Sequence, residues 1–237
     1  MPARRPRPRL PLPAPAAKVP PPGRPGAVTE HDREATRAPQ DASLAGQARA
    51  VARLHASLDA GTARLTRATG LGCPEGCGAC CLSPEVETSV ADLLPLALAL
   101  AERGEAGAAL TAARAAGDAG PCVLYAPDPR DPRRGRCTVY AERPSICRLF
   151  GFASRRAKGG GLELAACREL RAAAPAATTR AEAAIAGGLD VPRIDVDAST
   201  IALVTGDARP LPINHALRLA LERTGLARDL SDRARGG

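Results

Sequence analysis

Eight cysteines, all between Cys73 and Cys167, are the residues of this chain best suited to chemistry. They run Cys73-x3-Cys77-x2-Cys80-Cys81, followed by Cys122, Cys137, Cys147 and Cys167. Thiolates are soft donors and suit Zn²⁺ and iron–sulfur centres. Structural zinc takes four ligands, with sulfur at ~2.3 Å. A [4Fe–4S] cluster also takes four, one per iron. Eight thiols therefore imply two four-ligand sites, or one cluster site with thiols left over. The Cys80-Cys81 doublet is informative. Neighbouring side chains point to opposite faces of a strand and stand ~100° apart on a helix. Such a pair rarely chelates one tetrahedral ion, so Cys80 and Cys81 are expected to serve different metals, or one of them to line a neighbouring site.

The pattern resembles the YkgJ-type cysteine-cluster family, whose CxxCxxCC domain is described as zinc- or iron-chelating. The matching pieces are Cys73-x3-Cys77-Gly-Ala-Cys80-Cys81, Cys122-Val-Leu, and Cys137-Thr-Val-Tyr140-Ala-Glu-Arg143-Pro144-Ser-Ile-Cys147-Arg148, with Cys167 after them. The Cys-x-x-Tyr…Arg-Pro-x-x-Cys-Arg piece is the most specific. One departure is Val123-Leu124, where the family often has an aromatic. The resemblance spans about residues 70–170. It implies a metal ion, zinc or iron, or an iron–sulfur centre, as cofactor, and all eight cysteines as its ligands. It also favours Arg143 and Arg148 as cofactor-shell residues, because guanidinium groups beside Cys147 can donate to thiolates and offset their charge. Arg136 is read as a surface residue.

Other chemistries fit less of the sequence. Cys73-x3-Cys77-x2-Cys80 has the three-cysteine spacing of radical-SAM enzymes. However, Ala79 stands where an aromatic is usual, and no repeated strand–helix alternation follows. Cys77-x-x-Cys80 is a dithiol spacing without a surrounding βαβ pattern, and a thiol redox role would use two of the eight cysteines. A zinc-ribbon nucleic-acid binder needs a second paired knuckle, which is absent, and aromatic platforms are few. His31, His55 and His215 read as surface or packing residues.

Composition bounds what can hold these thiols. The chain has 237 residues, no Trp and one Met; Tyr125, Tyr140, Phe150 and Phe152 are its only aromatics. Much of the apolar content is alanine, which buries little area. A small core near the four aromatics is expected, with metal supplying part of the stability. The net charge is +8, and residues 1–40 account for +5 of it, with eight Arg/Lys against three acids. That concentration in a tail argues against a nucleic-acid partner; no protein partner is indicated. Residues 1–40 also contain eleven prolines and read as a disordered leader. Residues 41–230 read as one metal-binding domain with flanking helices. Arg4-Arg5 is followed by prolines, not by the apolar run of a signal peptide. The apolar stretch around Leu93–Leu100 is too short to span a bilayer. The expectation is a cytoplasmic protein, where thiols stay reduced.

The predicted fold is mainly α, a small α-rich domain around an irregular cysteine-lined metal centre. Leu44, Val51, Leu58 and Leu65 recur every seven residues and predict an amphipathic helix over about 41–68 with one narrow apolar stripe. Gly70 and Gly72 can end it. A second helix is expected from Thr88 or Ser89 to about Arg103, with Asp92 completing a capping box on Ser89. An Ala-rich helix follows at 105–117. Residues 121–152 read as irregular, with strand-like Cys122–Tyr125 and Cys137–Tyr140 around a proline-rich loop at 127–132. Helices are expected at 162–173, 176–187 and 213–227, with fraying from Ser231 onward.

Overall fold

Ser43 starts the first helix, and its Oγ accepts from the Gly46 N–H, satisfying one of the donors that a helix start leaves unpaired. The computed structural model describes residues 43–207 and 209–235; the leader expected over residues 1–40 lies outside them. Helix α1 (Leu44–Thr69) ends at Gly70 with φ +70°, a left-handed cap that glycine adopts without a Cβ clash. Its buried face is wider than the single stripe predicted. Alongside the leucine row lie Ala48, His55, Gly61 and Thr62, all buried. Small side chains let neighbours approach closely here; a Cβ on Gly61 would stand 2.6 Å from Pro192 Cγ.

A single helical turn, α2 (Ala79–Leu82), follows the first cysteines. Strand β1 (Glu87–Thr88) leads to a 3₁₀ turn at Ala91–Leu93, then α3 (Leu94–Glu102) and α4 (Ala106–Ala116). Only half of the expected capping box forms. Ser89 Oγ accepts from the Asp92 N–H at 3.2 Å, but the Asp92 carboxylate turns inward instead of reaching back. Pro95 sits in the first turn of α3, where its missing N–H costs no helical bond.

The strand positions differ from the prediction. The hairpin consists of β2 (Tyr125–Asp128) and β3 (Asp131–Cys137), in register Tyr125↔Cys137 and Pro127↔Gly135. It therefore runs through the proline-rich segment expected as loop. A two-stranded ribbon leaves half its backbone donors facing outward, so its prolines forfeit no ladder bond. After a 3₁₀ turn at Tyr140–Glu142 comes the short helix α5 (Ser145–Leu149). A second hairpin, β4 (Ser154–Arg156) with β5 (Leu162–Leu164), occupies the start of the predicted 162–173 helix. The helix itself, α6 (Arg168–Ala173), begins only after Cys167. Then come α7 (Pro175–Ala186), α8 (Ile194–Thr205), which the sequence reading missed, and β6 (Leu211–Pro212), which pairs with β1. The last helix, α9 (Ile213–Arg235), extends through Ser231 instead of fraying there.

The core is built mainly of leucine and alanine, and of the four aromatics Phe152 packs against it. One cluster packs Leu96 and Leu100 of α3 against Ala216, Leu217 and Leu221 of α9. A second joins Leu54 and Leu58 of α1 to Leu94, Leu149 and Ile201. A third gathers Leu65, Leu71, Leu164, Leu170 and Ile185. Leucine and alanine interdigitation carries the packing, while Tyr140 and Phe150 remain 63% and 40% exposed. The fold is mainly α, and among the described residues all three sheets are two-stranded and antiparallel. No described helix is long and apolar enough to cross a membrane.

Candidate metal centre

The first three cysteines are placed by a turn. The Cys77 N–H bonds Pro74 O at 3.1 Å, with Gly76 at φ +66°. Strand β3 closes on this turn: the Gly135 N–H donates to Gly76 O at 3.0 Å, and Arg134 Nη2 to Glu75 O at 2.9 Å. Gly78 is required by this approach, since a Cβ there would lie 2.2 Å from Tyr125 Oη and 2.9 Å from Arg133 O. Cys80 and Cys81 occupy the single turn of α2, so their side chains diverge by about 100°. The Cys122 N–H donates to Cys81 O at 2.8 Å and brings the third segment in. Cys137 ends β3, and Cys147 sits in α5. Cys167 stands just before α6, where its Sγ accepts from the Leu170 N–H at 3.3 Å.

All eight thiols are free, and their electrostatic neighbours fall into two groups. Cys73 is exposed as a residue, yet desolvation at its sulfur, then Cys77, Cys80 and Cys167, push it to about 12. Burial, then Cys167 and Cys77, push Cys80 to about 11. On the other side, burial and then Cys122 and Cys137 push Cys81 to about 12, with Cys80 and Cys77 behind them in influence. Burial and then Cys137 raise Cys122 to about 11, against the opposing Leu124 N–H. Cys147 is raised well above the usual thiol range, first by burial, then by Cys122, Cys81 and Cys137, with Cys80 behind them in influence. Cys137 is raised by burial, tempered by the Val139 N–H and by the Arg143 charge. The sulfurs thus group as Cys73, Cys77, Cys80 and Cys167 beside Cys81, Cys122, Cys137 and Cys147. Cys80 and Cys81 fall on opposite sides of that division.

Raised thiols of this kind are protonated at neutral pH, and a bound cation would offset the mutual repulsion of the thiolates formed as their protons leave, so the donor set fits a soft metal. Among the described residues no three Cys, His, Asp or Glu side chains stand ready-made around one point, so closing a site requires the sulfurs to draw in. A pH dependence follows. A thiol raised in the fold above its unfolded value of about 9 stabilises the fold fully below pH 9. That stability is lost as pH climbs toward the folded value of about 12. Urea unfolding of metal-free protein is therefore expected to show falling stability from about pH 9 upward. Metal-loaded protein, whose thiols are already ionised, is expected to lack that slope.

The two arginines behave differently. Arg143 stacks over the Tyr140 ring at 4.0 Å, donates to Tyr140 O at 2.7 Å and to Asp59 Oδ1 at 3.4 Å, and lowers Cys137. Arg148 is buried and committed elsewhere. It donates to Arg143 O at 2.8 Å, to Ala141 O at 2.5 Å and to Asp59 of α1. It clamps the loop before Cys147, and its donors are taken up by oxygens. Arg136 lines the cavity beside the thiols.

A buried polar network escaped the sequence reading. Asp92 is 3% exposed and accepts four hydrogen bonds: His55 Nε2 at 2.7 Å, Thr88 Oγ1 at 2.7 Å, and Ser145 N and Oγ, both at 2.9 Å. Burial pushes its pKa up, but His55 first, then Thr88 and Ser145, overcome that and hold it below the usual carboxylate value. Ser145 opens α5, so Asp92 ties the helix bearing Cys147 to α1 and to the head of α3. The signal was a lone carboxylate inside the apolar run Val90–Leu96. His55 is thus a packing residue with a partner, His215 pairs with Asp118 at 3.0 Å, and His31 lies outside the described residues.

Residues 72–171 match the family model CxxCxxCC, described as a "putative zinc- or iron-chelating domain". The resemblance read from the cysteine spacing therefore holds over that stretch. The first interval here is x3, where the family's name has x2, and the Pro74–Cys77 turn accommodates the additional residue. No curated protein and no solved structure matches the chain.

Proposed function

Starting from a zinc- or iron-chelating domain over residues 72–171, we propose that the chain holds metal in two adjacent four-thiolate sets. Cys73, Cys77, Cys80 and Cys167 form one; Cys81, Cys122, Cys137 and Cys147 form the other. The observation that carries this reading is the division of the sulfur neighbours on either side of the Cys80-Cys81 doublet. Bound zinc or iron would supply positive charge that cross-links four loops and couples metal binding to folding. The chain's own part is to hold the thiols, release their protons to solvent and offset thiolate charge with Arg143. Residues 41–230 act as one unit in this reading. A reducing compartment such as the cytoplasm would keep the thiols available.

A dithiol redox role is less well supported, because Cys80 at about 11 is a poor thiolate source near neutral pH. A radical-SAM role lacks its barrel, since the described sheets are antiparallel pairs.

The test is metal and acid-labile sulfide analysis, with an absorption spectrum, on protein purified without oxygen. Two zinc equivalents per chain without a visible band are expected if each set holds one ion. Iron with matching sulfide and a broad visible band, at two cluster equivalents, would assign clusters to the same two sets. Saturation at a single ion or a single cluster would overturn the two-set reading.

A further inference from the structure

The thiols face a cavity of about 490 Å³, and seven of the eight cysteines line it, Cys167 being the exception. An ion bonded to sulfur at ~2.3 Å lies within the sulfur shell. The lining also has an apolar part, made of Leu93, Leu96, Leu124, Ile213 and Leu217. Cavities of roughly 300–1,000 Å³ with apolar walls and a few polar groups are the usual seats of organic ligands.

Two further observations point the same way. The chain has four aromatic side chains, and three of them, Tyr140, Phe150 and Phe152, line this cavity. Tyr140 and Phe150 stay exposed, in a chain with no Trp and four aromatics in all. Arg143, also in the wall, places both terminal nitrogens on oxygens, but its Nε–H is buried with no partner. A buried donor without an acceptor is costly, and a ligand's acidic group would satisfy it. Two arginines, Arg136 and Arg143, face one glutamate, Glu75, among the lining residues.

We infer that this cavity binds a small organic anion with an apolar body, seated against the thiol and leucine parts of the lining, its acidic head on Arg143. The inference rests on the chelation reading in one respect: metal on the thiol wall holds the surrounding loops in place.

The test titrates 1-anilinonaphthalene-8-sulfonate into metal-loaded protein by fluorescence, with uncharged N-phenyl-1-naphthylamine as the comparison. One saturable site per chain is expected. Arg143→Gln is expected to weaken the sulfonate about tenfold or more, as loss of a charge-assisted bond does, and the uncharged probe by no more than about twofold. Leu124→Trp fills the cavity and is expected to abolish binding of both probes with metal content unchanged. Val86→Trp, at another residue lining the cavity, serves as a second plug if the first variant lacks a cooperative melt. No saturable binding, or binding that survives a folded plug variant, would overturn the inference. Equal weakening of both probes by Arg143→Gln would overturn the anionic head. Metal content measured on the same samples separates the two readings. Two metal equivalents without probe binding defeat the cavity site, whereas site-specific probe binding without metal uptake defeats chelation.

Discussion

Cys147→Ser and Cys167→Ser are each expected to lower the metal content from two equivalents per chain to one, and to leave different sites filled. Serine keeps the size of the side chain but offers a hard, protonated oxygen where a soft thiolate is needed. Cys147 has its strongest sulfur neighbours at Cys122, Cys81 and Cys137, ahead of Cys80, so its loss should empty that set. Cys167 neighbours Cys73 and Cys80, so its loss should empty the other. The double variant should bind none. Because metal binding contributes folding free energy directly, each single variant should also melt well below the parent. The Cys147 variant should fall further, since its set joins α2, the β2–β3 hairpin and α5. Cobalt substitution provides the check, because thiolate-to-cobalt absorption reports each site separately. Equal residual occupancy of both sets in either variant would show that the eight sulfurs act as one pool.

Asp92→Ala is expected to cost about 3–5 kcal/mol of stability, the usual result of removing a buried charge that several buried donors depend on. Four donors converge on this carboxylate. Removing it leaves His55 and Ser145 buried with unmet hydrogen-bonding needs. The effect should reach the metal centre, because the Ser145 N–H held by Asp92 is two residues from Cys147. Metal should therefore be lost preferentially from the Cys81, Cys122, Cys137 and Cys147 set. Asp92→Asn, which keeps the shape and one acceptor oxygen, should recover part of both losses. Urea unfolding together with metal analysis of the two variants checks this. A fall in stability with both sets fully occupied would confine Asp92 to the core.

Some features are local and were therefore legible. The period of seven from Leu44 to Leu65, with Gly70 after it, predicts α1 to within three residues at its start and one at its end. The Ala-rich run at 106–116 and its glycine stop are of the same kind. The doublet at Cys80-Cys81 is also local, since the divergence of adjacent side chains holds for any regular backbone. Other features needed partners distant in sequence. The β2–β3 hairpin uses prolines that read as loop, because a two-stranded ribbon tolerates their missing donors. Residues 154–164 form a hairpin instead of a helix start, since β5 packs on α7 and its strand buries Leu164.

By itself, the sequence determined eight thiols and their spacing, the mainly α frame and the divergence of the adjacent Cys80 and Cys81 side chains. Ligand chemistry and helical periodicity are properties of residue type and near neighbours, so no fold was needed to read them. Only the tertiary structure decided which sulfurs are neighbours, because Cys167 reaches Cys73 and Cys80 across more than eighty residues. It also decided that Arg148 serves Asp59 and carbonyl oxygens while Arg143 stays beside Cys137, and that three of the aromatics line a cavity, Phe152 packing on the third core cluster as well. Those outcomes depend on which long side chain meets which partner once the helices pack, and spacing along the chain carries no record of that.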